Sequence, residues 1–328
     1  MKVLITGGAG YIGSSIAWYF IDRGHKVTII DSLVTGKLSN VPKKSKFIKS
    51  DIADVKNLSI LLNENYDVVL HFAALIDNEE SISKKELYLS NNYTKSKIFL
   101  KLCIKKGIKN FIFSSSASVY GLSDRRVNET SNTKPLAPYG KSKLKFEKYL
   151  EKSKKEINYV ILRYFNVVGV EKKMRCGFEI IKNKSLFNNL CKSHFDDKKF
   201  FIFGKDFATK DGTAIRDYIF INDLSNIHYK FSKIIRKQKL KLIVNCGYGN
   251  GYSVLDVINK FNSILKKKIN FEFKSRRKNE IEYSVADNTK IKKFFKLENT
   301  NNKFLLMIQT SLNWYIKILN KSKKKLNN

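Results

Sequence analysis

Residues 2–13 read KVLITGGAGYIG, and this stretch decides the fold. It opens with a mostly apolar run rich in β-branched side chains, which is typical of a buried β-strand. Gly7 permits a tight turn, Gly10 lets the backbone approach a pyrophosphate, and Gly13 lets a following helix pack closely on the strand. A helix-like segment begins at Tyr11. A strand, a glycine-rich turn and a helix in this order predict a dinucleotide-binding unit whose helix N-terminus faces the phosphates.

The segments that follow alternate between strand and helix patterns. Short apolar runs predict further strands at residues 26–30, 47–49, 68–72, 111–114 and 159–164, and longer segments predict helices at residues 90–106 and 139–152. Strands separated by helices are typical of βαβ units, and strands that are apolar throughout indicate a parallel sheet covered on both faces. We therefore expect an α/β fold of the Rossmann type, with a doubly wound parallel sheet.

The alternating pattern ends near residue 170. Residues 172–210 look irregular and rich in lysine, whereas residues 242–246 form one more strand that can rejoin the sheet. We expect a dinucleotide-binding domain over residues 1–170, to which residues 214–250 return. The rest of residues 171–328 should form a smaller, mixed α/β domain that binds the substrate.

The chain is strongly basic, with 63 Lys and Arg against 29 Asp and Glu in 328 residues and a formal net charge of +34. The lysines are spread along the whole chain without base-stacking aromatic motifs, so we expect an anionic small-molecule substrate and no nucleic acid. No apolar run is long enough to span a membrane, and no membrane partner is expected.

The four cysteines form no CxxC motif and no Cys/His cluster. This spacing indicates free thiols and no metal site. The strand-like start leaves no room for a signal peptide, so we expect a cytoplasmic protein in a reducing compartment.

Asp31 ends the second predicted strand, 18 residues after Gly13. A carboxylate at this position accepts hydrogen bonds from both ribose hydroxyls of adenosine and repels a 2′-phosphate. The sequence therefore predicts NAD rather than NADP as the cofactor. Asp51 and Ile52 follow the third strand and are candidates for contact with the adenine.

Tyr139 and Lys143 begin a predicted helix and share one of its faces because they are four residues apart. An ammonium stabilises a phenolate, so Lys143 and a positive nicotinamide should bring the pKa of Tyr139 down from its usual value of about 10. Tyr139 is then a candidate general base. Upstream, residues 114–116 are serines that end an apolar strand, and ligands of such sheets bind at strand ends. Ser116 is the candidate partner of Tyr139 at a substrate hydroxyl.

These motifs occur together in one order. The chain resembles the extended short-chain dehydrogenase/reductase family from residue 2 to about residue 318, through GGAGYIG at 7–13, Asp31, HFAA at 71–74, SSSASVYG at 114–121 and YGKSK at 139–143. Later motifs resemble the UDP-glucose 4-epimerases within that family, namely LRYFNVVG at 162–169, DGTAIRDYI at 211–219, DL at 223–224, SVLDV at 253–257 and SRR at 275–277 with Glu280.

The resemblance implies an NAD-dependent 4-epimerisation of a UDP-hexose through a transient 4-keto sugar, with Ser116, Tyr139 and Lys143 as catalytic residues. The cofactor-binding residues that it implies are Gly7, Gly10, Tyr11, Ile12, Gly13, Asp31, Asp51, Ile52, Phe72, Ala73, Ala74, Asn92, Ser114, Tyr139, Lys143 and Tyr164. The implied substrate-binding residues are Ser116, Tyr139, Asn166, Asn183, Ser185, Arg216, Tyr218, Arg277, Glu280 and Ser284. It also implies a homodimer formed through residues 90–106 and 139–152.

The chain departs from the family pattern in three places. Residues 75–81 read LIDNEES, where the family usually has Val-Gly before Glu-Ser, and they include the acidic pair Glu79-Glu80. The segment after Gly169 is shortened, so Asn183, Ser185 and Asn189 all remain candidates for contact with UDP. Ser284 stands where strict glucose/galactose enzymes carry a bulky Tyr, and a small residue should leave space for a 2-acetamido group. UDP-GlcNAc and UDP-GalNAc are therefore possible further substrates.

Other functions remain open at this stage. A UDP-glucuronate or UDP-pentose epimerase would share the same catalytic groups. A nucleotide-sugar 4,6-dehydratase is disfavoured because it needs an Asp–Glu pair where this chain has Ser116 and Ala117. A non-catalytic NAD-binding protein or a nucleic-acid-binding protein is a remote alternative.

Overall fold

The computed structural model describes residues 1–62, 64–122, 126–181, 184–277, 280–297 and 301–326, with side chains up to residue 321. The strands, in chain order, are β1 (Lys2–Thr6), β2 (Lys26–Asp31), β3 (Lys46–Lys49), β4 (Val68–His71), β5 (Asn110–Ser116), β6 (Asn158–Tyr164), β7 (Asn166–Val168), β8 (Phe200–Phe203), β9 (Ile215–Phe220), β10 (Lys241–Cys246), β11 (Gly251–Ser253), β12 (Phe271–Lys274) and β13 (Tyr283–Ser284).

The helices surround these strands. In chain order they are α1 (Tyr11–Ile21), α2 (Val55–Leu61), α3 (Asn78–Ser83), α4 (Lys85–Leu89), α5 (Ser96–Lys105), α6 (Pro138–Lys152), α7 (Leu186–Phe195), α8 (Ile221–Lys237), α9 (Val254–Asn262), α10 (Thr289–Lys292) and α11 (Asn301–Leu326). A π-helical turn over Ser90–Lys95 joins α4 to α5, so the helix predicted at residues 90–106 begins earlier and contains an irregular turn.

A seven-stranded parallel sheet in the order β10-β6-β5-β4-β1-β2-β3 forms the centre of the described molecule. This order confirms the predicted Rossmann-type α/β fold. The chain moves outward from β1 to β3 and then returns to place β4 on the other side of β1. The crevice therefore lies beyond the carboxyl ends of β1 and β4, where the strand order reverses.

The C-terminal part adds two small sheets. Strand β9 pairs with β7, β11 and β13, and β8 pairs with β12 in a separate two-stranded sheet. The expectation that residues 172–210 are irregular is wrong, because they contain α7 and β8. Buried Phe187, Leu190 and Cys191 give α7 a helical spacing, which the surrounding lysine and asparagine residues hide in the sequence.

One hydrophobic core runs through both halves of the molecule. Val3 and Ile5 of β1 belong to the same cluster of buried side chains as Phe220 of β9, Ile258 of α9 and Phe304 of α11. Strand β10 is the edge of the large sheet and pairs in parallel with β6. The small sheets are thus held at the carboxyl edge of the large sheet by side-chain packing as well as by the covalent connections of the chain.

Among the described residues, no helix is both long enough and apolar enough to cross a bilayer.

Candidate active site

The glycine-rich turn packs directly against the segment after β4. Gly7 has φ +69°, and a Cβ there would lie 2.6 Å from the Ala73 nitrogen. A Cβ on Gly13 would lie 2.3 Å from the Gly7 carbonyl oxygen, so both positions require glycine. Gly10 is the N-cap of α1 and has no side chain to occupy the helix N-terminus. The first N–H groups of α1, from Tyr11 onward, can therefore bind an anion.

Asp31 lies beside this turn at the end of β2. Its Oδ2 accepts a hydrogen bond from the Ala9 nitrogen (2.9 Å) and its Oδ1 accepts one from the Leu33 nitrogen (2.8 Å). A carboxylate has about four acceptor positions, so two remain for ribose hydroxyls. Asp31 is thus both a brace for the turn and a candidate ribose ligand.

Asp51, the candidate for adenine contact, is engaged elsewhere. Its carboxylate accepts from the Ala53 nitrogen (2.8 Å) and forms an ion pair with Lys95. Ile52 is buried in the core cluster between the sheet and α2. The Asp51 carboxylate remains partly exposed, and the contact of Asp51 and Ile52 with an adenine stays a prediction.

The end of β4 is fixed by a buried hydrogen-bond chain. His71 bonds the Thr6 hydroxyl through Nδ1 (2.7 Å) and the Ser96 hydroxyl through Nε2 (2.9 Å), and the Ala73 nitrogen donates to Thr6 Oγ1 (3.3 Å). Burial and nearby Lys143 lower the pKa of His71 to about 3, so its ring is neutral at working pH. Residues 72–74 continue from this point into the crevice.

Asn92 joins that segment to α6. It lies in the π-helical turn, a feature that is common at functional sites. Its amide accepts from the Leu75 nitrogen (2.8 Å) and donates to the Leu75 carbonyl (2.9 Å) and to the Ser142 hydroxyl (3.1 Å). Asn92 therefore holds the segment after β4 against α6 through its hydrogen bonds with Leu75 and Ser142.

The predicted catalytic residues come together at the carboxyl end of β5. Tyr139 is buried at the start of α6, and the Ser116 side chain lies near its phenol. Lys143 Nζ donates to the Ser114 carbonyl (2.8 Å) and lies 5.9 Å from the centroid of the Tyr139 ring. Tyr164 lies at the same strand edge, where its hydroxyl bonds His228 Nε2 (2.7 Å) and is near Ser114.

The protonation of this group differs from the sequence-based expectation. Burial raises the pKa of Tyr139 above its usual value, and the nearby Ser116 side chain opposes the rise. Burial lowers the pKa of Lys143 to about 7, which Glu147 partly counteracts. Lys143 alone does not lower the pKa of the phenol, because its Nζ faces the Ser114 carbonyl and both groups have lost their water.

The acidic side chains of residues 75–81, where the chain departs from the family pattern, form local hydrogen bonds. Asp77 caps α3 by accepting from the Glu79 nitrogen (2.9 Å) and the Glu80 nitrogen (3.0 Å). Glu80 accepts from the Tyr88 hydroxyl (2.8 Å). Ser81 Oγ accepts from the Tyr139 nitrogen (3.2 Å). The unusual segment therefore supports the start of α6, a role that its sequence did not reveal.

The predicted substrate residues divide into two groups, of which the first lies on the sheet around β9. Asn166 is exposed and donates to the Asp217 carbonyl (2.8 Å). Arg216 forms an ion pair with Glu280 (2.8 Å), and Ser284 is its partner across the β9–β13 pairing. These four side chains thus lie together at one edge of the small sheet.

Asp217 connects the segments at this edge, although no motif in the sequence analysis pointed to it. Its buried carboxylate accepts from the backbone nitrogens of Tyr218 (2.7 Å), Tyr248 (3.0 Å), Gly249 (2.8 Å) and Ala286 (3.1 Å). One side chain therefore ties β9 to the segments that follow β10 and β13.

The second group of predicted substrate residues makes other contacts, of which the first are with aromatic rings. Tyr218 is buried, with ring centroids 5.4 Å from Phe187 and 5.8 Å from Phe304. The Arg277 guanidinium lies 3.9 Å from the centroid of the Phe203 ring. Three candidates for contact with UDP follow Gly169. Ser185 caps α7, the Asn189 amide donates to the Lys184 carbonyl (3.1 Å), and Asn183 lies outside the described residues.

Known proteins resemble this chain over its full length. The model of the NAD dependent epimerase/dehydratase family matches residues 3–247. A UDP-glucose 4-epimerase of Lactobacillus helveticus is 35% identical over 324 residues, covering 96% of this chain and 97% of that protein.

Solved structures of epimerases are also similar to this chain. A UDP-glucose-4-epimerase from Stenotrophomonas maltophila with bound NAD and formylated UDP-arabinopyranose has a TM-score of 0.93 at 31% identity, covering 98% of this chain and 99% of that one. A UDP-Glc/GlcNAc 4-epimerase from Campylobacter jejuni has a TM-score of 0.83 at 30% identity, covering 96% and 99%. Together with the matching fold and crevice, these similarities show that the chain belongs to the NAD-dependent epimerase/dehydratase family, among relatives named UDP-glucose 4-epimerase.

Proposed function

We propose that the protein interconverts UDP-glucose and UDP-galactose by NAD-dependent epimerisation at C4. The observation that carries this proposal is the convergence of Ser116, Tyr139 and Lys143 at the strand edge beside the glycine-rich turn. The residues present fit NAD: Gly7 and Gly13 let the turn pack on its neighbours, Gly10 at the N-terminus of α1 brings no side chain between the backbone and a pyrophosphate, and Asp31 retains acceptor positions.

Each of the three catalytic side chains has a distinct task. Tyr139 takes the proton from the sugar O4, and Ser116 holds that oxygen in place. Lys143 binds the nicotinamide ribose, and its position is set by the hydrogen bond that it donates to the Ser114 carbonyl. When bound, NAD supplies the acceptor and donor of the C4 hydride, and no net oxidation results.

The substrate side supplies the phosphate contacts. We propose that Arg216 and Arg277 bind the diphosphate of UDP, since a guanidinium presents a planar fork to phosphate oxygens. Asn166, Glu280 and the residues around Ser185 would complete the nucleotide site. The 4-keto sugar then turns within this anchored site and presents its other face before it is reduced again.

The distribution of cysteines supports a cytoplasmic location. All four are buried and free, as expected in a reducing compartment. We propose the cytoplasm as the place where this enzyme works.

Incubation of the purified protein with UDP-galactose, without added NAD, should yield UDP-glucose. Tyr139→Phe should lower kcat by about 100-fold or more, because it removes the general base, while NAD and UDP still bind. Tyr66→Phe is the matched control, since it loses a buried phenol that bonds only Thr28, at 3.2 Å. Near-normal turnover by Tyr139→Phe, or a product that has lost water, would contradict the mechanism.

We further propose that UDP-GlcNAc and UDP-GalNAc are accepted. Ser284 is half-buried opposite Arg216, and its small side chain leaves room for a 2-acetamido group. The Campylobacter relative, whose name includes GlcNAc, has the same overall fold.

Ser284→Tyr should therefore lower kcat/KM for UDP-GlcNAc by about tenfold more than for UDP-galactose, because the larger ring fills the acetamido space. Ser284→Ala, which stays small, is the control and should keep the wild-type ratio. An equal loss on both sugars in Ser284→Tyr would remove the basis for this substrate range.

A homodimer through α5 and α6 is also proposed, with a specific dependence on salt. The exposed side chains of these helices include five lysines: Lys101, Lys141, Lys145, Lys148 and Lys152. Two copies of this face bring like charges together, and salt screens that repulsion over a Debye length of about 10 Å at 0.1 M and about 3 Å at 1 M.

Sedimentation velocity should therefore show more dimer as NaCl is raised. Lys148→Glu should shift association toward the dimer at low salt, whereas Lys233→Glu on exposed α8 makes the same charge change away from the face. A dimer that dissociates as salt rises, or an equal response to both substitutions, would count against this interface.

A further inference from the structure

A buried ion pair lies one helical turn beyond Lys143. Glu147 on α6 and Arg163 on β6 are both almost fully buried, with 1% and 3% exposure. Arg163 donates from Nε to Glu147 Oε1 (3.1 Å) and from Nη2 to Oε2 (2.7 Å). This bidentate geometry fixes the orientation of the carboxylate as well as its position.

The same carboxylate also contacts the catalytic strand. The Ser115 hydroxyl donates to Glu147 Oε1. Three consecutive residues at the end of β5 thus face α6: the Ser114 carbonyl accepts from Lys143, the Ser115 hydroxyl donates to Glu147, and the Ser116 side chain lies near the Tyr139 phenol. The contact made by Ser115 and Glu147 is the only one of the three in this set that involves no predicted catalytic side chain.

We propose that Glu147, held by Arg163, is a positioning residue that fixes α6 against β5 and thereby sets the geometry of Ser116, Tyr139 and Lys143. This inference rests on the proposed function, because it assigns Glu147 a part in that reaction. Glu147 itself does not touch the reacting atoms.

Stability alone gives little reason for an ion pair at this place. Two charges lose their hydration when they are buried, and a well-packed apolar pair is often equally stable or more so. A rigid, bidentate pair does provide a fixed distance between a helix and a strand. A misplacement of about 1 Å in a catalytic group can lower turnover by about 100-fold, so such precision matters at this edge.

The charge of Glu147 also acts on Lys143. The groups around Lys143 are Tyr139 and Glu147 on its own helix, His71 on β4, and Arg163 and Tyr164 on β6. Among these described side chains Glu147 is the anion, since burial keeps His71 neutral and both tyrosines protonated. Loss of the carboxylate should move the pKa of Lys143 further below about 7, so that the ammonium is lost at lower pH.

The test uses Glu147→Gln in the NAD-loaded protein. The amide keeps the shape and removes the charge, so kcat for UDP-galactose at pH 8 should fall by about tenfold while KM changes less than about twofold. The alkaline decline of kcat should move to lower pH. The ¹⁵Nζ chemical shift of Lys143, assigned by its loss in Lys143→Met, should titrate at lower pH by the same amount.

Tyr120→Phe is the matched control. The Tyr120 hydroxyl accepts from Arg163 Nη1 (3.0 Å) and donates to Asn245 (2.6 Å), so its loss perturbs the same buried network without touching Glu147. It should lower the urea midpoint but leave both titrations unchanged. If Glu147→Gln behaves like Tyr120→Phe, with wild-type pH dependence, the pair is merely structural and the proposal is overturned.

A second variant decides the matter if Glu147→Gln does not fold. Ser115→Ala removes the contact with β5 and keeps the ion pair, so kcat should fall by about threefold or more, whereas Tyr120→Phe, which also loses a buried hydroxyl, should keep the wild-type kcat; unchanged kcat in Ser115→Ala would overturn the proposal. If the wild type converts no UDP-sugar, the proposed function fails. The titration of Lys143 then still tests the action of Glu147 by itself.

Discussion

The removal of Tyr139 and Lys143 from water is the constraint on which the rest of this site depends. Both side chains are buried on one turn of α6, and burial disfavours the charged form of each. Strand β5 offsets part of this cost, because the Ser114 carbonyl accepts a hydrogen bond from the ammonium and the Ser116 side chain lies near the phenol. Because little solvent screens the site, a positive charge entering beside the phenol has a large effect on its protonation.

The order of strands explains why this pair lies where a dinucleotide binds. The glycine-rich turn after β1 and the segment after β4 touch at the point where the strand order reverses. Strand β5 is next to β4, so its serines come to the same edge. The second sheet, tied through Asp217, brings together Arg216 and Ser284, which we propose as substrate residues.

The local motifs were sufficient to predict the fold class and the set of residues at the strand ends. Steric crowding in the turn at residues 7–13 requires glycine at fixed positions, so the spacing of the glycines is enough to predict the turn. Glu147 was missed because a glutamate on a lysine-rich helix looks like a surface residue, and only the packing of β6 shows that Arg163 meets it. Asp217 was missed for a similar reason, since its four backbone partners come from distant segments. The protonation of the phenol also depends on burial, which a four-residue spacing does not show.

The most direct measurement is the pKa of Tyr139 in the two redox forms of the loaded protein. Tyrosine labelled with ¹³C at Cζ reports ionisation of each phenol, and the signal of Tyr139 is identified by its loss in Tyr139→Phe. The account predicts that the phenol ionises at lower pH with NAD⁺ bound than with NADH bound, because only the oxidised nicotinamide is positive. The same pKa in both forms would contradict the claim that charge beside a buried phenol controls the reaction.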